Sequence, residues 1–169
     1  DPNLPNLVIS NCDINYKNVN FKYDNTNDRA IKNLNLEIKG GTMTALVGHS
    51  GAGKSTVINL LPRFYDPQEG IITVDGKNIS KVNLNSLRKN ISLVSQDVIL
   101  FDDTIKNNIS YAKPEASNEE LEEACKNSAA IEFIEKLPRK FDTIVGENGV
   151  RLSGGQKQRI SIARAILKK

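Results

Sequence analysis

The densest chemistry in the sequence lies in nine consecutive residues, Gly48-His49-Ser50-Gly51-Ala52-Gly53-Lys54-Ser55-Thr56, which fit the pattern G-x-x-x-x-G-K-[ST]. Glycines at these positions let successive backbone N–H groups turn inward around phosphate oxygens with no Cβ in the way. A helix expected to begin near Lys54 would aim its unsatisfied N–H groups at the same anion. Lys54 is placed to reach the β- and γ-phosphates of a nucleoside triphosphate such as ATP, and Ser55 to ligate the Mg²⁺ that accompanies it. His49 is the only histidine. It occupies a variable position of the loop, where the backbone is expected to matter more than the ring.

A second cluster, Leu152-Ser153-Gly154-Gly155-Gln156, opens a helical stretch reading KQRISIARAILKK. Ser153 and Gln156 have capping-box spacing. A serine and two glycines at a helix start form another anion-binding surface. Ile160, Ala163 and Leu167 share one face of the helix, with Lys157, Arg164 and Lys168 in a stripe beside it. Two phosphate sites of different design in one chain suit a single ligand if a second copy supplies the second site.

With LSGGQ following a P-loop, the sequence resembles the nucleotide-binding domain of ABC transporters over essentially its whole length. The resemblance implies an α/β P-loop NTPase fold of the ABC ATPase type, with an N-terminal antiparallel β subdomain and a helical subdomain. It implies an ATP-dependent head-to-tail dimer in which Ser153, Gly154, Gly155 and Gln156 of one copy contact the γ-phosphate held by the P-loop of the other. Tyr23, in VNFKY, resembles the aromatic that stacks on adenine, a contact on the order of 1 kcal/mol. Gln96, in LVSQD, resembles the Q-loop glutamine, which helps coordinate Mg²⁺ and senses the transmembrane domain. RFYDP, SLVSQDVILFDDTIKNNISYA and TIVGENGVRLSGGQ resemble the exporter branch, in particular bacterial homodimeric exporters of the lipid A flippase and multidrug type. There the segment containing Glu147 meets the coupling helices of the transmembrane domains.

The same resemblance calls for a Walker B strand, an acidic Mg²⁺ ligand, a catalytic Glu and a switch His. Val98-Ile99-Leu100-Phe101-Asp102-Asp103 has the composition of such a strand. It directly follows Gln96, however, where the family has a loop, whereas the family's Walker B comes after the signature helix. The expectation is therefore a domain cut short of Walker B, with the C-terminal part of its core sheet missing. The intact protein would be a transport ATPase, and these 169 residues alone a nucleotide binder of little or no turnover. Lys54 and Gln96 are the catalytic candidates that remain.

These residues need elements to hold them. Ile14 and Tyr16, then Val19, Phe21 and Tyr23, alternate as strands with a slip between them; Leu34, Leu36 and Ile38 form a second run. Thr42 to Val47 reads as a buried strand entering the P-loop. Missing its neighbour strand, it is expected to present an open edge and an uncovered apolar face, leaving the fragment marginally stable or self-associating. Val57, Ile58, Leu61 and Phe64 have helical spacing that Pro62 interrupts. Asp75-Gly76 marks a hairpin, and Ile91 to Val94 a short strand. From Ser117, whose Glu120 gives a capping box, the pattern is helical. The domain reading is a linker over 1–6 from a transmembrane domain outside this sequence, then a partial nucleotide-binding domain over 7–169. Its β subdomain and P-loop core cover about 7–95, and its Q-loop and helical subdomain 96–169.

Composition is that of a soluble chain, with 25% charged and 38% apolar residues and a net charge of +3. The longest strongly apolar run, Val98 to Phe101, is far too short to cross a membrane. Cys12 and Cys125 fit no metal spacing. They read as reduced cytosolic thiols, although one bridge between them is compatible with the sequence. The expected location is the cytoplasmic face of a plasma membrane, as the soluble part of a membrane transporter. Two other readings compete: a nucleotide-binding module without catalysis, and a soluble ABC protein not tied to transport. The latter would use Arg159, Arg164, Lys168 and Lys169, yet no aromatics interleave with them for base stacking. That stripe reads as a solvated helix face, and no nucleic-acid partner is expected.

Overall fold

The slip between Tyr16 and Val19 is a β-bulge inside one strand, β1 (Ile14–Phe21), which pairs antiparallel with β2 (Ile31–Ile38). These elements come from a computed structural model, which describes residues 3–24, 26–147 and 149–168. The beginning of the 1–6 segment, Asn148 of GENG and Lys169 of the basic stripe lie outside the described residues. The chain divides into two units between Ile91 and Ser92.

In the first unit β3 (Glu69–Val74) pairs with the other side of β1, and β4 (Lys77–Asn78) closes a four-stranded antiparallel sheet of order β2-β1-β3-β4. The bulge puts Asn18 at φ 49°, and its N–H leaves the ladder to donate to Asn35 Oδ1 at 3.0 Å. Opposite it lies Gly70, at φ 84°, where a Cβ would stand 2.4 Å from the Asn18 carbonyl oxygen. Only glycine fits the strand that faces the bulge. The Asp75-Gly76 hairpin is as expected, with both residues at positive φ, 48° and 75°.

α1 (Lys54–Leu60) lays Val57 and Leu60 on the sheet against Tyr16, Val19, Phe21 and Ile72. Tyr16 donates its hydroxyl to the Val57 carbonyl at 2.9 Å, and burial pushes its phenol pKa well up, so it remains a neutral donor. Pro62 lies just past α1, and Arg63 beyond it turns into the left-handed region at φ 54°. Arg88, from α2 (Leu84–Lys89), donates to the Pro62 and Arg63 carbonyls at 2.9 and 2.8 Å. The segment read as a linker is fastened to this unit at its far end: Pro5 accepts from the Asn83 N–H at 2.8 Å, and Leu7 is buried.

Two expected strands are absent. Thr42 to Val47 is irregular and mostly exposed, with Met43 and Val47 open to solvent. A strand exists by its ladder bonds, and among the described residues no segment pairs with this one. The exposed Met43 and Val47 therefore belong to irregular chain and not to the edge of a strand. Ile91 to Val94 is likewise irregular chain rather than a strand. Ile91 and Val94 are partly buried and Leu93 is exposed, so the segment does not alternate as a strand would.

Asp75 does more than turn the hairpin. Its carboxylate accepts from the N–H groups of Ser10 at 2.7 Å, Asn11 at 3.2 Å and Asp13 at 2.9 Å. Those bonds, the one from Ser10 foremost, hold its pKa down at about 2. A carboxylate with a depressed folded pKa contributes stability above the unfolded value of about 4 and loses it as pH falls toward the folded one. Between about pH 4 and pH 2, the wild-type melting temperature should therefore fall more steeply than that of Asp75→Asn. Parallel curves would show that the latch carries no pH-dependent stability.

The second unit is helical. α3 (Ile105–Ser110), α4 (Asn118–Asn127), α5 (Ile131–Ile134) and α6 (Gly154–Leu167) bury Ile105, Ile109, Leu121, Cys125, Ile134, Ile160 and Leu167 together. The capping boxes expected at Ser117 and Ser153 both form: each serine hydroxyl accepts from the third residue's N–H at 3.2 Å, and Glu120 and Gln156 reach back at 2.9 Å. A short pair, β5 (Asp103–Thr104) with β6 (Ile144–Val145), ties α3 to the stretch ahead of the signature. Cys12 and Cys125 are free thiols, and burial raises the Cys125 pKa to about 12, which leaves it unreactive. Among the described residues no helix is long and apolar enough to cross a membrane.

Candidate functional site

The P-loop is a turn of backbone around its own lysine. Gly51 and Gly53 take φ of 80° and 83°, in the left-handed region. At Gly53 a Cβ would lie 2.6 Å from the Ala30 carbonyl oxygen and 2.8 Å from Ile31 Cδ1, so this glycine is required by close approach as well as by φ. Gly48 is tight too, with Ala52 Cβ 3.1 Å from where its own would be. Lys54 curls across the loop, its Nζ donating to the carbonyls of Gly48 and His49 at 2.7 Å each. The ammonium is thereby held across the loop.

The chemistry of the donor set fits a nucleoside triphosphate with its cation. Gly53, the residue before α1, supplies no side-chain cap, so the first N–H groups of α1 stay available. Ser55 is exposed, on the first turn beside Lys54, with a hydroxyl suited to a hard cation. His49 turns its Nδ1 onto the Ser50 carbonyl at 2.7 Å. Its ring is engaged with the loop's own backbone.

Tyr23 lies just beyond β1, in the same unit as the loop, and its hydroxyl is 3.0 Å from Oγ1 of buried Thr56, the third residue of α1. It forms edge contacts with Phe21 at 4.8 Å and Tyr65 at 5.2 Å between ring centroids. Of the expected site residues, the structure therefore joins Tyr23 directly to the phosphate loop.

Gln96 and Ser153–Gln156 belong to the second unit. Gln96 is exposed on an irregular segment that is fastened to the signature helix, since Gln158 Nε2 donates to the Ser95 carbonyl at 3.3 Å. Gly154 and Gly155 begin α6 with open space where a Cβ would be added. Among the described residues nothing requires glycine there, in contrast to Gly53. Asp103, the end of the apolar-acidic run, accepts from the Thr104 N–H at 2.6 Å and from Asn107 Nδ2 at 2.9 Å. With Ile99 exposed, that run is not a buried strand delivering an acid to a metal.

The sequence reading missed what holds this unit together. Asn108 is fully buried on the same side of α3 as Ile105 and Ile109. Its Oδ1 accepts from the Phe101 N–H at 2.9 Å and from Arg164 at 2.6 Å, and its Nδ2 donates to the Phe101 and Thr104 carbonyls at 3.0 and 2.9 Å. Arg164 also donates to the Asn108 carbonyl and to the Ile99 carbonyl at 2.9 Å. Burial lowers its pKa. Arg159 donates to the Ala129 carbonyl and Glu132, both at 3.1 Å. The expectation of a solvated basic stripe is corrected for these two arginines, whose charge is turned onto their own unit. A polar residue at an apolar helix position was the available signal.

A glycine loop closed by its lysine, in front of a short helix on an antiparallel sheet, defines a P-loop nucleotide-binding domain. The ABC transporter family model matches residues 31–169, and the chain belongs to the ABC transporter family. It is 54% identical over 156 residues to the ATP-dependent lipid A-core flippase of Pasteurella multocida (strain Pm70), covering 92% of this chain and 27% of that protein. It is 53% identical over 156 residues to ABC transporter B family member 2 of Dictyostelium discoideum, covering 92% of this chain and 11% of that one. Among solved structures, a bacterial Atm1-family ABC exporter with ATP bound matches with a TM-score of 0.94 at 46% identity, over 99% of this chain and 29% of that chain. The chain thus spans less than a third of the relatives it matches, of which the solved structure is an ABC exporter.

Proposed function

We propose that this chain is the ATP-binding part of an exporter that couples ATP binding and hydrolysis to movement of a lipid or other hydrophobic substrate across a membrane. In this reading the P-loop, Tyr23, Ser55 and Gln96 hold Mg²⁺·ATP. Lys54 neutralises charge on the β- and γ-phosphates, the cation supplies further neutralisation when bound, and the backbone N–H groups of residues 48–56 fix the phosphates in place. Ser153, Gly154, Gly155 and Gln156 serve the ATP of a second copy. The segment around Glu147 and the Gln96 segment face transmembrane coupling helices on the cytoplasmic side.

The observation that carries the two-copy arrangement is the open space at Gly154 and Gly155. Glycine at a helix start lowers helix propensity and has no steric reason among the described residues here. Close approach of an outside group, a phosphate, supplies one. Replacing each by Ala should raise the stability of the chain by up to about 1 kcal/mol while blocking ATP-dependent pairing. Thermal unfolding checks the first effect and sedimentation of the intact transporter's nucleotide-binding domains with ATP the second. Loss of stability on substitution would mean that the glycines serve their own unit. The arrangement itself is tested by a Ser50→Cys/Ser153→Cys pair in the intact transporter. Cross-linking between copies on addition of ATP is expected; a link formed within one copy, or none, would contradict it.

A further inference from the structure

Tyr23 is held on three sides. Its backbone is pinned beyond the end of β1: Lys22 donates its N–H to Gln68 Oε1 at 2.8 Å and accepts from Gln68 Nε2 at 2.9 Å. The Tyr23 carbonyl accepts from the N–H and hydroxyl of Thr26 at 3.1 and 3.0 Å. Its ring meets Phe21 and Tyr65 at interplanar angles of 84° and 86°, and those two rings touch each other at 5.5 Å, closing a triangle. Neither neighbour lies parallel to Tyr23, so neither stacks over it as a base would. Its hydroxyl is fixed to Thr56 on the phosphate-loop helix at 3.0 Å.

We propose that Tyr65 and Thr56 are positioning residues that lock the Tyr23 ring in register with the phosphate loop, so that base and phosphates are recognised by one preorganised surface. This rests on the reading of Tyr23 as the adenine platform. A tyrosine at the end of a strand is otherwise free to change rotamer and would have to be ordered by the ligand, at a cost in affinity. The Tyr65 ring and the Thr56 hydroxyl remove that freedom before ATP arrives. Tyr65 needs only its ring for this, whereas Tyr23 needs both ring and hydroxyl.

The test is calorimetric titration of the chain with ATP and, separately, with inorganic tripolyphosphate, which has no base. Tyr65→Leu should weaken ATP about three- to tenfold and leave tripolyphosphate within about twofold of wild type, while Tyr65→Phe restores wild-type ATP affinity. Tyr23→Phe, which keeps the ring but frees it from Thr56, should also weaken ATP. If Tyr65→Leu and Tyr23→Phe bind ATP as wild type does while Tyr23→Leu does not, the platform stands and the positioning role is overturned. A parallel loss of both ligands in Tyr65→Leu overturns it as well, because the damage is then general. Wild-type ATP affinity in Tyr23→Leu would remove the platform itself.

Discussion

Arg164→Ala is expected to destabilise the unit from Ser92 onward by about 2–4 kcal/mol, and Asn108→Ala by a similar amount. The two side chains form one network, with Arg164 also bonded to the Ile99 carbonyl and Asn108 to the Phe101 and Thr104 backbone. Truncating either leaves buried groups of the other without partners, which costs more than a single surface bond. The double variant should therefore lose less than the sum of the two singles. Denaturant unfolding checks this through the midpoint at constant slope. A loss below about 1 kcal/mol for both would show that the hub is not what fastens α3 and the Ile99–Phe101 segment to the signature helix.

Lys54→Ala is expected to weaken ATP binding at least about a hundredfold, because charge-assisted bonds to two phosphates, each worth about 1.5–3 kcal/mol, are lost together. Stability should change little, since both bonds that Nζ makes in the structure are exposed ones to loop carbonyls. That separation of effects distinguishes a binding residue from a structural one.

How far the sequence revealed these features follows from the range of the interactions. The P-loop, both capping boxes and the Asp75-Gly76 hairpin are local: the residues that need each other are within a few positions, so spacing alone announces them. Thr42 to Val47 has strand composition, but a strand requires a neighbour, and composition cannot say whether one is alongside. Arg164 looked solvated because helical spacing places it in one stripe with Lys157 and Lys168, while its partners, Asn108 and Ile99, are 56 and 65 positions away. The bond between Tyr23 and Thr56 spans 33 positions and was hidden for the same reason. The resemblance to ABC proteins supplied roles for Tyr23 and Gln96 that no spacing rule would assign.

Every role proposed for this site depends on residues 48–56 holding the phosphates of ATP. The most direct measurement is equilibrium binding of Mg²⁺·ATP to the chain and to Lys54→Ala, with unfolding midpoints recorded alongside. Saturable binding by the wild type, lost in a variant that unfolds at nearly the same midpoint, is the predicted result. Equal affinity in the two proteins would contradict it.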